Sequence, residues 1–162
     1  MPRTLHWFRN DLRLHDNPAL YAASLEANGQ LVTCHVATPQ QWQIHDESPG
    51  KLDLLQRQLD RLQAALTAKG IPLYLLTGSD FASQHDIILR LMRHASCERL
   101  FFNEEHGINE RRRDRTLGAS LRSQGLMVRC FRDQAILPVG SILTREARPY
   151  TVFTPFKRRW LE

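Results

Sequence analysis

Two hydrophobic periods take turns along this 162-residue chain, and that alternation limits its fold more than any other feature. Short runs rich in β-branched and aromatic residues are followed by stretches whose apolar residues recur every three or four positions. The strand-type runs are 4–9, "LVTCHVAT" (31–38), "LYLLTG" (73–78), "RLFFNE" (99–104) and "LMVRCF" (126–131). They are nearly continuous in apolar residues, as parallel strands buried on both faces should be. Four helical stretches lie between them. Asn17 can cap the first, with Pro18 at its first position, and Asn28-Gly29 ends it. The second, 51–69, sets Leu52, Leu55, Leu59, Leu62 and Leu66 on one stripe and stops at Gly70. The third, 82–95, carries Ile87, Ile88, Leu91 and Met92 toward a core. The fourth runs from Asn109 to Ser123, with Leu117 and Leu121 inward and Gly125 beyond.

Five strands alternating with four helices predict βαβ units with right-handed crossovers. The fold expected is α/β, a Rossmann-like open five-stranded parallel sheet with helices on both faces. This domain occupies 1–133. The alternation then stops. Residues 134–162 show no clear helical or strand period and contain Pro138, Pro149 and Pro155, so they read as an irregular connecting segment. Yet this segment carries Tyr150, Val152, Phe153, Phe156 and Trp160, too aromatic for a solvated linker. Ending in the helix-like "FKRRWLE", it predicts that more protein follows.

A length of 162 residues can bury a real core, and 42% apolar with 24% charged residues excludes disorder. No run approaches the roughly 18 apolar residues of a membrane span, and no basic segment with an apolar h-region opens the chain. Cys34, Cys97 and Cys130 are odd in number and lack CxxC spacing, which predicts reduced thiols in a cytoplasmic protein. The net charge of +5 permits contact with nucleic acid. Its clusters, Arg111-Arg112-Arg113-Asp114-Arg115 and Lys157-Arg158-Arg159, read as solvated faces, and no aromatics interleave the first.

Ligands of open parallel sheets bind beyond the carboxyl ends of the strands, where strand order reverses. Three loops leave those ends. "RNDLRLHD" (9–16) is built from charges and has no glycine, so it is no pyrophosphate cradle; Arg9, Asp11, Arg13 and Asp16 read as ion-pair scaffolding. "PQQWQIHDESPG" (39–50) offers Trp42 and His45 as a stacking face and a polar contact, or as ordinary surface residues. "NEEHGINERRRD" (103–114) crowds Asn109 and Glu110 at the end of a strand. Asn109 is placed to cap the next helix, and Glu110 to complement its dipole. Both could equally face a ligand. A carboxylate there suits a ring with adjacent N–H and NH₂ donors, the edge that pterins and guanine present. There is no HExxH, no GxSxG and no P-loop, so no metal site and no catalytic residue is nominated.

Four motifs carry a family resemblance. "HWFRNDLRLHDNPAL" resembles the WFRxDLRxxDNxAL signature that opens members of the DNA photolyase/cryptochrome family. "ATPQQW" with His45 resembles the loop after the second strand in class I bacterial cyclobutane-dimer photolyases. "INERRRD" resembles their VNERxRD, and "ILPVGSILT…PYTVFTPFKRRW" their ILPPGxxxT…YxVFTPFxxxW. Order and spacing match over 4–161.

The resemblance implies an N-terminal light-harvesting domain of a deoxyribodipyrimidine photolyase, a light-driven DNA repair enzyme. In that family a helical domain of the same polypeptide holds reduced FAD, which passes an electron to a pyrimidine dimer flipped out of damaged DNA. By resemblance, this chain has the antenna domain and lacks the flavin pocket, so alone it would not repair DNA. The implied antenna is 5,10-methenyltetrahydrofolate, whose family contacts correspond here to His45, Asn109 and Glu110. Some relatives use a deazaflavin, or no antenna. "FNEEHG" departs from relatives that carry a tyrosine there, so Glu104–His106 receive no role. A monomer with no membrane partner is expected. The alternatives are a cryptochrome-type blue-light receptor and a small nucleotide- or pterin-binding protein acting alone.

Overall fold

A computed structural model describes residues 3–162. Five strands, β1 (Arg3–Phe8), β2 (Leu31–Ala37), β3 (Leu73–Thr77), β4 (Cys97–Asn103) and β5 (Met127–Phe131), form one sheet in the order β3-β2-β1-β4-β5. Every pairing is parallel. The chain first winds outward from β1 to β2 and β3, then crosses back to β4 and continues to β5. Strand order therefore reverses between β1 and β4.

The helices are α1 (Pro18–Ala27), α2 (Pro39–Ile44), α3 (Pro49–Thr67), α4 (Phe81–His94), α5 (Ile108–Ser123) and α6 (Phe153–Leu161). α1 and α3 cover one face, packing Leu20, Ala23, Leu62 and Leu66 on Phe8, Leu31 and Phe101. α4 and α5 cover the other, where Ile88, Leu91, Met92, Leu117 and Leu121 meet Trp7, Cys34, Val36, Leu100 and Phe102. Alternate residues of each central strand thus feed two cores, which is why those strands read as near-continuous apolar runs.

Local signals explain most boundaries. The Asn17 side chain accepts from Leu20 N, Pro18 opens α1, and Asn28 closes it in the left-handed region at φ 45°. Gly125 follows α5 at φ 77°, a conformation a side chain resists. Three expectations need correction. The 39–50 loop contains α2, a six-residue helix too short to display a period. The cap of α5 is Gly107, not Asn109, which is the second residue of the helix. The 134–162 segment is not wholly irregular, because α6 forms from the stretch after Val152.

Two compact units divide at Phe131/Arg132. In the second, Leu143 bridges Pro149, Thr144 N donates to Arg148 O at 2.8 Å, and Phe156 packs near Tyr150 and Phe153 with ring centroids 6.3 Å apart in each case. Val152, Phe153 and Leu161 are exposed. Among the described residues, no helix is long and apolar enough to cross a membrane, and no group of His, Cys, Asp and Glu could hold a metal ion. The three cysteines are free thiols, and burial raises Cys97 and Cys130 to about 11.

β1 carries a fully buried histidine. His6 packs edge-on to Phe8 at 4.3 Å, and neither ring nitrogen has a hydrogen-bond partner among the described residues. Burial lowers its pKa from 6.5 to about 4, against an opposing pull from Asp11. The imidazole is therefore neutral in the fold, while the unfolded chain takes up its proton below pH 6.5. Its contribution is complete above pH 6.5 and is lost as pH falls toward 4, amounting to about 3 kcal/mol. Urea unfolding of wild type and His6→Leu across pH 4–7 should show the wild type losing that much more stability on acidification. Parallel pH profiles would refute the assignment.

Candidate functional site

The first turn after β1 places Arg9 back under the sheet's carboxyl end, 94% buried. Its guanidinium lies against Trp7 and Phe102, at 5.1 and 4.6 Å from the ring centroids. Its Nη1 donates to both carboxylate oxygens of Asp114, at 2.7 and 2.8 Å, and its Nε stands 3.5 Å from Glu105. Arg113 mirrors it from α5. Its Nη2 donates to Glu105 at 2.8 Å, its Nε to Asp114 at 2.9 Å, and its guanidinium lies over Trp7 and Phe81 at 4.8 and 5.0 Å. Two buried cations, the buried Glu105 carboxylate and the partly buried Asp114 carboxylate make a neutral quartet, with Trp7 facing both guanidiniums. Neutrality and hydrogen bonding make such burial tolerable, and desolvated cation–π contacts add to it.

The rest of the turn is satisfied as expected of scaffolding. Asn10 Nδ2 donates to Glu105 at 2.5 Å. Asp11 accepts from Arg9 N at 2.8 Å and from Asn103 Nδ2 at 2.6 Å. Asn103 in turn donates to Asn17 at 2.8 Å and accepts from Ala19 N at 3.1 Å, locking the end of β4 to the start of α1. Arg13 closes the loop on Asp16 O.

Above the quartet opens a cavity of about 590 Å³. It lies at the carboxyl ends of β1, β2 and β4, where the strand order reverses. His45, Asn109 and Glu110 all line it, as do Trp42 and Phe81. His45 closes α2 and is exposed; Asn109 and Glu110 stand in the first turn of α5. Of the α3 stripe, Leu59, Leu62 and Leu66 are buried, whereas Leu52 and Leu55 are half-buried and form cavity wall. Asn109, Gln41, Phe81 and Arg113 also border a second cavity of about 580 Å³ between α4 and α5. At the floor, His35 is buried with Nδ1–H donating to Phe8 O at 3.2 Å, and burial lowers its pKa.

Sequence reasoning missed Glu105, which received no role, and Arg113, which read as part of a solvated face. Both are more than 90% buried. A signal existed for Arg113: it lies four and eight residues before Leu117 and Leu121, on the inward stripe of α5. Arg111, Arg112 and Arg115 are exposed.

The DNA photolyase family matches over residues 4–162. The chain belongs to that family. It is 41% identical, over all of its length, to the deoxyribodipyrimidine photo-lyase of Escherichia coli K12, and 40% identical to that of Salmonella typhimurium. It spans 34% of the length of each. Among solved structures, a bacterial class III photolyase from Agrobacterium tumefaciens matches with a TM-score of 0.75 and 28% identity, over 97% of this chain and 31% of that one. The Synechocystis sp. PCC6803 cryptochrome shares the fold, with a TM-score of 0.79 at 22% identity, over 98% of this chain and 33% of that one.

Removing Glu105 should expose the quartet's role. Glu105→Ala leaves two buried guanidiniums facing one carboxylate and should lower stability by about 3–5 kcal/mol in urea unfolding. Glu105→Gln, which keeps an acceptor, should lose clearly less. Equal, small losses for both would show the pairs to be incidental.

Proposed function

We propose that this chain is the light-harvesting N-terminal part of a deoxyribodipyrimidine photo-lyase, which uses light to split cyclobutane pyrimidine dimers in DNA. Residues 1–133 form the antenna domain, and 134–162 begin the connection to a helical domain of the same polypeptide. That domain holds FAD and meets damaged DNA. No residue of this chain is assigned a catalytic role.

The antenna is 5,10-methenyltetrahydrofolate, held by His45, Asn109 and Glu110. The observation that carries this reading is that these three side chains, brought from two distant segments, line one cavity at the reversal of strand order. The donor and acceptor set fits the group. Glu110 offers two acceptor oxygens to the adjacent N–H and NH₂ of a pterin, Asn109 offers both a donor and an acceptor, and Trp42, Phe81 and His45 offer flat faces. A cavity of about 590 Å³ also has the size of a small-molecule site. When bound, the folate supplies absorption in the near ultraviolet. The protein's share is to hold the ring and exclude water from one of its faces. With only this chain as a wall, affinity is modest.

Titration with 5,10-methenyltetrahydrofolate, followed by its near-ultraviolet band, should show saturable binding that Glu110→Ala weakens about tenfold, the value of a lost charge-assisted pair. Binding that is absent, or unchanged in Glu110→Ala, would overturn the folate assignment. A light-dependent dimer-repair assay on the full-length polypeptide tests the enzymatic reading separately; a folate band without repair would point to a photoreceptor.

A further inference from the structure

Two helices from opposite faces of the sheet bring opposite charges to the large cavity. α3 packs on one face and α5 on the other, and the first turn of each lines the cavity. α5 contributes the Glu110 carboxylate. α3 contributes Lys51, its third residue. A helix N-terminus favours acids in its first turn, yet α3 has no acid there and carries this lysine instead. The Lys51 ammonium donates to Glu47 Oε1 at 2.6 Å, but the lysine side chain is 60% exposed. An ion pair in that setting is weak and readily exchanged. The other cations lining the cavity are committed: Arg9 and Arg113 to the quartet, and Arg13 to its own loop through Asp16 O. Beside Lys51 the α3 wall is apolar. Leu52 and Leu55 are half-buried there, and Leu54 is exposed.

We infer that Lys51 is a further binding residue of this site, the counter-ion for the carboxylates at the far end of a folate. The inference rests on the folate reading above and extends it from the pterin to the rest of the ligand. A folate carries three groups in series: a pterin with adjacent donors, an aminobenzoyl ring, and a glutamate with two carboxylates. The cavity offers a partner for each: the Glu110 carboxylate on α5, the leucines of α3, and the ammonium beside those leucines. On binding, the ammonium passes from Glu47 to the ligand. The second cavity, between α4 and α5, suits a dicarboxylate less well, because it sets both Asp80 and Asp86 beside Arg112.

The test titrates the full chain with 5,10-methenyltetrahydrofolate and with its dimethyl ester, in which both glutamate carboxylates are neutral. Lys51→Gln should weaken binding of the acid about threefold to fivefold, the contribution of an exposed ion pair, and leave the ester unchanged. Its urea midpoint should match the wild type, since the residue is exposed. Glu47→Gln removes the competitor for the ammonium, so it should tighten the acid about twofold and again leave the ester unchanged. In the wild type, the acid's advantage over the ester should fade in high salt. Equal losses for acid and ester in Lys51→Gln, an acid that binds no better than the ester, or an acid that Glu47→Gln fails to tighten would each overturn the inference and leave the folate site standing. Binding of both forms that ignores Glu110→Ala would instead remove the folate reading itself.

Discussion

Four charges under the sheet's carboxyl end hold this domain's working surface together. Arg9 follows β1, Glu105 follows β4, and Arg113 and Asp114 sit in the second turn of α5. Each is nearly removed from water, and each carboxylate meets both guanidiniums. A pair of this kind is not a large net source of stability, because desolvation offsets most of the attraction. Its effect is on register. A guanidinium left without its carboxylate under a parallel sheet is so unfavourable that the turn after β1, the turn after β4 and the start of α5 are held to one mutual arrangement. Together with the end of β2, α2, the first half of α3 and the start of α4, those three segments wall the cavity.

The same arrangement explains how chemistry is divided between floor and rim. Floor charges neutralise one another, so the cavity presents no strong field of either sign at its base. The rim keeps groups with unspent hydrogen-bonding capacity: the Glu110 carboxylate, the Asn109 amide and the His45 ring. A flat, neutral or weakly charged ring with a patterned polar edge suits such a cavity better than a phosphate would. The glycine-free first turn belongs to the same design. It holds no pyrophosphate, and its charged residues serve the scaffold.

Much of the fold was legible in sequence because the signals were long and redundant. β-branched runs, leucine stripes, Asn17 with Pro18, and the stops at Asn28 and Gly125 all agreed with one another. α2 was not legible, since six residues show no period. The cap of α5 was misread because Asn109 has the better intrinsic preference, yet the chain enters the helix at Gly107. His45, Asn109 and Glu110 could be singled out by position and by family resemblance. Glu105 could not, because nothing local distinguishes a glutamate in water from one beneath a sheet with two arginines. Only the partners decide it, and they lie on other segments. Arg113 shows the intermediate case: the inward stripe of α5 pointed to burial, but the three other arginines around it suggested solvent.

The Arg9–Asp114 contact joins residues 105 positions apart. Closing so large a loop is unfavourable until many other contacts are already in place, and parallel sheets of this topology fold through such non-local pairings. The cavity needs both halves of the sheet, so it is complete only in the folded domain. Whatever binds there meets only the finished sheet, never a half-built one. Occupancy of the site is in that sense a readout of completed folding, and any ligand that binds only the folded domain shifts the balance toward the native state.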